Sequence, residues 1–194
     1  MSRLIDYLFH HSKEPRSKLG RRELLTVAGA GALASIVPIR AAEAQDEIAP
    51  FLGTFNFSGG DKERAGLTKA IDDIVSEMNF IARGIARDKL KKANPIPSTI
   101  GFACDPKILT ITFDSRTYTA PLDGSPVKVK GILGDDMALA YKIGPSQIDQ
   151  LFIGDEKGRT NTLHLDGTTC TMNVRIYASK LPRDLLYSLT FTKC

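Results

Sequence analysis

Catalysis needs a nucleophile beside a base, a set of metal ligands, or paired carboxylates within reach, and this 194-residue chain offers few of these. Of its three histidines, His10 and His11 fall in an N-terminal stretch expected to be removed, which leaves His164 alone in the remainder. One histidine builds neither a Ser-His-Asp triad nor a multi-histidine metal site. His164 stands between Leu163 and Leu165, so strand alternation turns it away from both, onto a polar face. The acidic pairs Asp135-Asp136 and Asp155-Glu156 are flanked by glycines and read as solvated turn residues. The residues favour no enzyme class, and only carboxylate-only or lysine-based chemistry stays open. No metal or cofactor is expected.

Cys104, Cys170 and Cys194 match no C-x-x-C or zinc spacing. Three cysteines allow three single pairings. In an oxidising compartment a disulfide persists, and Cys104 with Cys170 is the candidate pair, with Cys194 at the chain end left over.

The compartment is read from the first 44 residues. Gly20-Arg21-Arg22-Glu23-Leu24-Leu25 opens a mildly apolar run, Leu24 to Ile39, which ends on Arg40 and then Ala42-Glu43-Ala44. These are the charged, apolar and small-residue regions of a signal peptide, in order. The arginine pair resembles a twin-arginine export signal, although Gly20, Leu24 and Thr26 replace its usual Ser or Thr, Phe and Lys. Gly29 and Gly31 keep the run mild, and about 16 residues is short for a membrane span of roughly 20. The expected organisation is a signal peptide over residues 1–44, cleaved after Ala44, and one domain over 45–194. The expected partners in transit are the twin-arginine translocase and signal peptidase, and no stable span is expected after cleavage. The address is the periplasm or the medium of a bacterial cell, so the sequon Asn56-Phe57-Ser58 is set aside.

Charge excludes one class of partner. Before residue 45, seven basic residues against four acidic ones account for +3 of the total +4, leaving +1 for the domain. That is too little for the basic footprint of a nucleic-acid binder.

The remaining residues predict the elements that would position a site. Phe51 to Phe57 alternates as a strand. Leu67, Ile71, Ile74, Val75, Met78, Ile81, Ala82 and Ile85 then recur by three and four, which predicts helix from Asp61 to Lys92, either continuous or bent at Gly84. Asn94-Pro95-Ile96-Pro97 stops it. Nine short strands follow, from Thr99–Cys104 to Leu185–Thr192, among them Asn161–Leu165, separated by turns such as Asp166-Gly167. Gaps this short force antiparallel neighbours. About ten strands leave two open edges unless the sheet curls and closes, so an up-and-down barrel or strongly curved sheet is expected. Pairing of the first strand with the last would mark the barrel; two unpaired edges would mark an open cone around the helix.

That order of elements, with Leu52-Gly53-Thr54-Phe55 similar to an opening Gly-x-Trp strand, resembles the calycins, and fatty-acid-binding proteins and lipocalin-like domains in particular. Here Phe55 stands where Trp is usual. The resemblance implies a binding module for a small apolar or amphiphilic molecule, with a carboxylate held by an Arg-x-Tyr pair near the C-terminus. Arg175-Ile176-Tyr177 has that form, as does Arg116-Thr117-Tyr118, although Arg175 alternates against Met172, Val174 and Ile176. The chain also looks like exported bacterial proteins of no assigned activity, through Gln150-Leu151-Phe152, Gly154 to Gly158 and Arg159-Thr160-Asn161. The competing reading is a structural or interaction protein whose barrel is packed solid.

Overall fold

The computed structural model describes residues 37–194, and side chains from Glu43 onward. Arg21 and Arg22 lie outside the described residues, as does the Ala42 side chain.

A helix, α1 (Val37–Ile48), passes through a single 3-10 turn (Ala49–Phe51) into β1 (Gly53–Phe57). A helix pair follows, α2 (Gly60–Ser76) and α3 (Phe80–Ala93). Nine strands complete the chain: β2 (Thr99–Cys104), β3 (Ile108–Phe113), β4 (Arg116–Pro121), β5 (Val127–Lys130), β6 (Asp136–Gly144), β7 (Gln147–Ile153), β8 (Lys157–Asp166), β9 (Thr169–Ala178) and β10 (Leu185–Lys193).

All ten strands form one antiparallel sheet in the order β4-β3-β2-β1-β10-β9-β8-β7-β6-β5. The first strand pairs with the last, with Phe55 opposite Lys193 and Phe57 opposite Phe191, which is the mark of the barrel. Its two ends, β4 and β5, are neighbours in sequence but share no ladder. The barrel is therefore nearly closed, with one seam that side chains bridge: the Tyr141 hydroxyl donates to the Tyr118 carbonyl at 2.9 Å, and Arg116 Nη1 to the Ile132 carbonyl at 3.3 Å.

Turn chemistry sets the register. Asp166 pairs with Thr169, so Gly167 and Thr168 make a two-residue hairpin, and Gly167 has the left-handed φ of +57° that its first position demands. Between β3 and β4, Asp114 turns the chain at φ +50° and its carboxylate accepts from the backbone N–H groups of Ser98 and Thr99.

The helix pair breaks at Glu77–Asn79, not at Gly84, which lies inside α3. Asn79 is the cause: its side chain accepts from the Ile81 N–H and caps a new helix. The break turns the apolar stripe. Leu67, Ile71, Ile74 and Val75 of α2 are buried as expected, but Ile81 is 84% exposed and Ile85 48%, and Phe80 beside them is 82% exposed. Glu63 pins α2 to β10 by accepting from the Thr190 N–H at 2.7 Å and its hydroxyl at 2.6 Å.

Strand polarity gives the barrel an entry end, where α1 leads into β1, and a lid end beneath α2 and α3. The entry half is solid. Phe51, Phe55, Leu109, Ile148, Cys170, Met172, Leu189 and Phe191 have no exposed area, whereas walls of a water-sized void would keep some. Phe51 and Phe55 each pack a ring 5.5 Å from that of Phe102. At the lid end Phe57, Phe113, Val129, Met137 and Ile176 are partly buried beside the fully buried Ile100, Leu139 and Leu185.

Helix α1 runs across the bond expected to be cleaved, with Ala44 packed on the core and Ile48 fully buried. No helix among the described residues is long and apolar enough to cross a membrane.

Candidate functional site

Period-2 alternation aims Arg159, Asn161, Leu163 and Leu165 of β8 into the barrel, and the first two begin a chain of polar groups through it. Arg159 Nε donates to Asn161 Oδ1 at 2.6 Å, Asn161 Nδ2 to Gln150 Oε1 at 2.7 Å, and Gln150 Nε2 to the Tyr141 hydroxyl at 3.3 Å. Tyr141 passes the chain to the seam at Tyr118. Gln150 and Asn161 are buried, and such groups are tolerated in a core when every donor finds an acceptor.

At its other end the chain reaches the lid. Arg159 Nη1 donates to the Ala93 carbonyl at 3.3 Å and to Asn94 Oδ1 at 3.2 Å, and Nη2 to the Tyr187 hydroxyl at 3.2 Å. Tyr187 in turn donates to Asn94 Oδ1 at 3.1 Å. Asn94 is buried at the foot of α3, and its amide donates to the Leu90 carbonyl at 2.8 Å.

Every acceptor around the Arg159 guanidinium is neutral. The ion pairs among the described residues run between other side chains, such as Arg175 with Asp184, Arg183 with Glu77 and Lys157 with Asp135. A half-buried cation without a counter-anion is costly to hold. The site is thus electropositive and set in an otherwise apolar end of the barrel.

Burial raises the pKa of Tyr187 above its ordinary value of 10.0, against the opposing pull of Arg159, and burial raises that of Tyr141 too. Both hydroxyls stay protonated at neutral pH and act as donors.

Arg175 and Tyr177 fall elsewhere. Arg175 faces out of β9 and is paired with Asp184 at 2.6 Å. Tyr177 lies on the same outer face, over Gly158 of β8. Arg175 borders an open surface groove with Thr160, Thr162, Asn173, Leu186 and Ser188, outside the barrel. The interior arginine is Arg159, and Tyr187 is its tyrosine. Sequence reasoning missed Arg159 because the strand was expected to start at Asn161. Extending the alternation of Leu165, Leu163 and Asn161 back by one more step reaches it.

Cys104, Cys170 and Cys194 are all free. Strands β1 and β10 lie between β2, which carries Cys104, and β9, which carries Cys170, a separation of about 14 Å at the usual strand spacing. A disulfide needs Cα atoms within about 7 Å, so this fold does not bridge the pair.

His164 is exposed on the outer face of β8. Asp136 bonds Lys130 and pairs with Lys128, the first cause of its lowered pKa being the Lys130 hydrogen bond. Glu156 accepts from the Ser179 hydroxyl. No three His, Cys, Asp or Glu side chains among the described residues could hold a metal ion.

The barrel geometry recurs among solved structures. The Caenorhabditis elegans lipid binding protein 8, in its apo form, superposes with a TM-score of 0.50 at 10% identity, over 75% of this chain and 96% of its own. The two share the fold, a nearly closed antiparallel barrel. The Schistosoma mansoni fatty acid binding protein in complex with arachidonic acid follows at a TM-score of 0.47 and 16% identity, over 76% of this chain and 98% of that one. A Drosophila melanogaster brain fatty-acid-binding protein gives 0.47 at 11%, over 74% and 99%. No protein-family model matches the chain, and no curated protein does. At such identities the likeness shows the fold alone.

Proposed function

We propose that this domain binds a small amphiphile through its anionic head, with Arg159 and Tyr187 as the head-group donors. The observation that carries the reading is the interior guanidinium, held by neutral acceptors only. Arginine offers a planar fork matched to a carboxylate, and such charge-assisted bonds are roughly twice as strong as neutral ones. A lipid-binding protein among the fold neighbours is in keeping with it.

The packed entry half limits the tail. A ligand anchored at Arg159 has its apolar contacts at the lid end, among Phe57, Phe113, Met137 and Ile176, which favours medium chains over long ones. Titration calorimetry with decanoate and with palmitate tests this: binding of decanoate in preference to palmitate supports the reading, and no heat from either refutes it.

The same packing supports a second reading, a solid barrel that works through its surface. Native mass spectrometry of protein purified from its host separates the two, since a binder co-purifies with a small molecule and a solid barrel does not.

We also propose that the domain is delivered by twin-arginine export and cleaved after Ala44. Supporting this are the Arg21-Arg22 pair, the mild apolar run and the Ala42-Glu43-Ala44 close. Cleavage there would shorten α1 to Gln45–Ile48 and leave Ile48 and Phe51 in the core.

A further inference from the structure

The Asn94 carboxamide oxygen accepts from Arg159 Nη1 at 3.2 Å and from the Tyr187 hydroxyl at 3.1 Å. Two donors from separate strands, β8 and β10, thus converge on one oxygen carried by the segment that ends α3. This is the position and the donor set that one oxygen of a bound carboxylate would take. Resting on the binding reading above, we propose that Asn94 is an internal stand-in for the ligand head group, an autoinhibitory contact that a carboxylate must displace.

Donor arithmetic makes the two occupants exclusive. Arg159 has five N–H groups. Nε is committed to Asn161, both hydrogens of Nη1 to Ala93 and Asn94, and one of Nη2 to Tyr187. One N–H remains, and a bidentate carboxylate requires two. The Tyr187 hydroxyl has a single proton, already given to Asn94. A carboxylate wins the exchange because it brings the charge that the neutral amide lacks.

Displacement reaches the lid. Asn94 is also the residue that closes α3, through its N–H to the Lys91 carbonyl and its amide to the Leu90 carbonyl. Arg159 additionally holds the Ala93 carbonyl. These bonds and the buried Leu90 tie the foot of α3 to the barrel, while Phe80 and Ile81 at its head stand in solvent. Head-group binding and a closed lid foot therefore compete for the same donors, and binding of a carboxylate loosens the last turn of α3.

The test compares the full chain carrying Asn94→Ala or Asn94→Asp with the wild type, with decanoate as the probe. Asn94→Ala removes the stand-in and is expected to bind decanoate about tenfold more tightly. Asn94→Asp supplies a built-in carboxylate and is expected to bind it at least tenfold more weakly. An unfolded variant cannot gain affinity, so opposite shifts do not arise from misfolding. Hydrogen exchange gives a second readout: decanoate is expected to speed exchange at Leu90–Asn94 in the wild type. Equal affinities in all three proteins, or unchanged exchange in that turn with decanoate bound, overturn the inference while the binding reading stands. No uptake by the wild type or by Asn94→Ala overturns the binding reading itself.

Discussion

The hydroxyl of Tyr141, on β6, donates to the backbone carbonyl of Tyr118, on β4, at 2.9 Å, across the seam where the ladder of the barrel is interrupted. Tyr141 is also the acceptor for Gln150 Nε2, so one hydroxyl both staples the seam and ends the buried polar chain. Tyr141→Phe would leave a buried amide donor unmatched, a loss of about 1–3 kcal/mol. Urea unfolding should show that destabilisation, with faster hydrogen exchange concentrated in β4 and β5. Unchanged stability would mean that the seam is held without this bond.

Alkaline pH should weaken the fold through Cys170. Burial pushes this thiol from its ordinary 9.0 up to about 12. The folded state therefore keeps the proton over a range in which the unfolded chain releases it. Stability from this group is fully present below pH 9 and is lost as pH rises toward about 12, at roughly 1.4 kcal/mol per pH unit. Cys170→Ala should flatten that part of the urea stability profile between pH 9 and 11. An unaltered slope would assign the alkaline loss to other groups, Tyr187 and Tyr141 first among them.

Much of the barrel was legible because period-2 alternation and short turns leave antiparallel chains few choices. Leu109, Ile111, Met172 and Val174 all point inward as the alternation required. The helix break at Asn79 was harder, since a cap inside an apolar stripe is outweighed by a nearby glycine when no packing is visible. The site was the least legible part. Arg175-Ile176-Tyr177 stood out by spacing along one strand, whereas Arg159, Tyr187 and Asn94 meet only after β8, β10 and the foot of α3 come together. Their separations of 28 and 65 residues leave no local pattern.

The address can be tested without reference to the fold. Replacing Arg21 and Arg22 together by Lys keeps the charge but removes the planar donor fork, and the two side chains are not interchangeable where that fork is read. The periplasmic fraction of the native host should then lose the mature chain beginning at Gln45. Mature chain at wild-type levels would assign export to the general secretory route.

If Arg159 receives an anionic head group inside the barrel, as proposed, Arg159→Met is expected to lower decanoate affinity by about ten- to a hundredfold, the worth of charge-assisted bonds of about 1.5–3 kcal/mol. The most direct measurement is carbon-13 NMR of carboxyl-labelled decanoate titrated with the protein. A bound signal should appear, resolved from the free one, and should titrate at lower pH than free decanoate because the adjacent guanidinium favours the carboxylate; it should vanish with Arg159→Met. A carboxyl resonance that stays at its free position at every protein concentration, or a bound signal that survives Arg159→Met unchanged, would contradict the account.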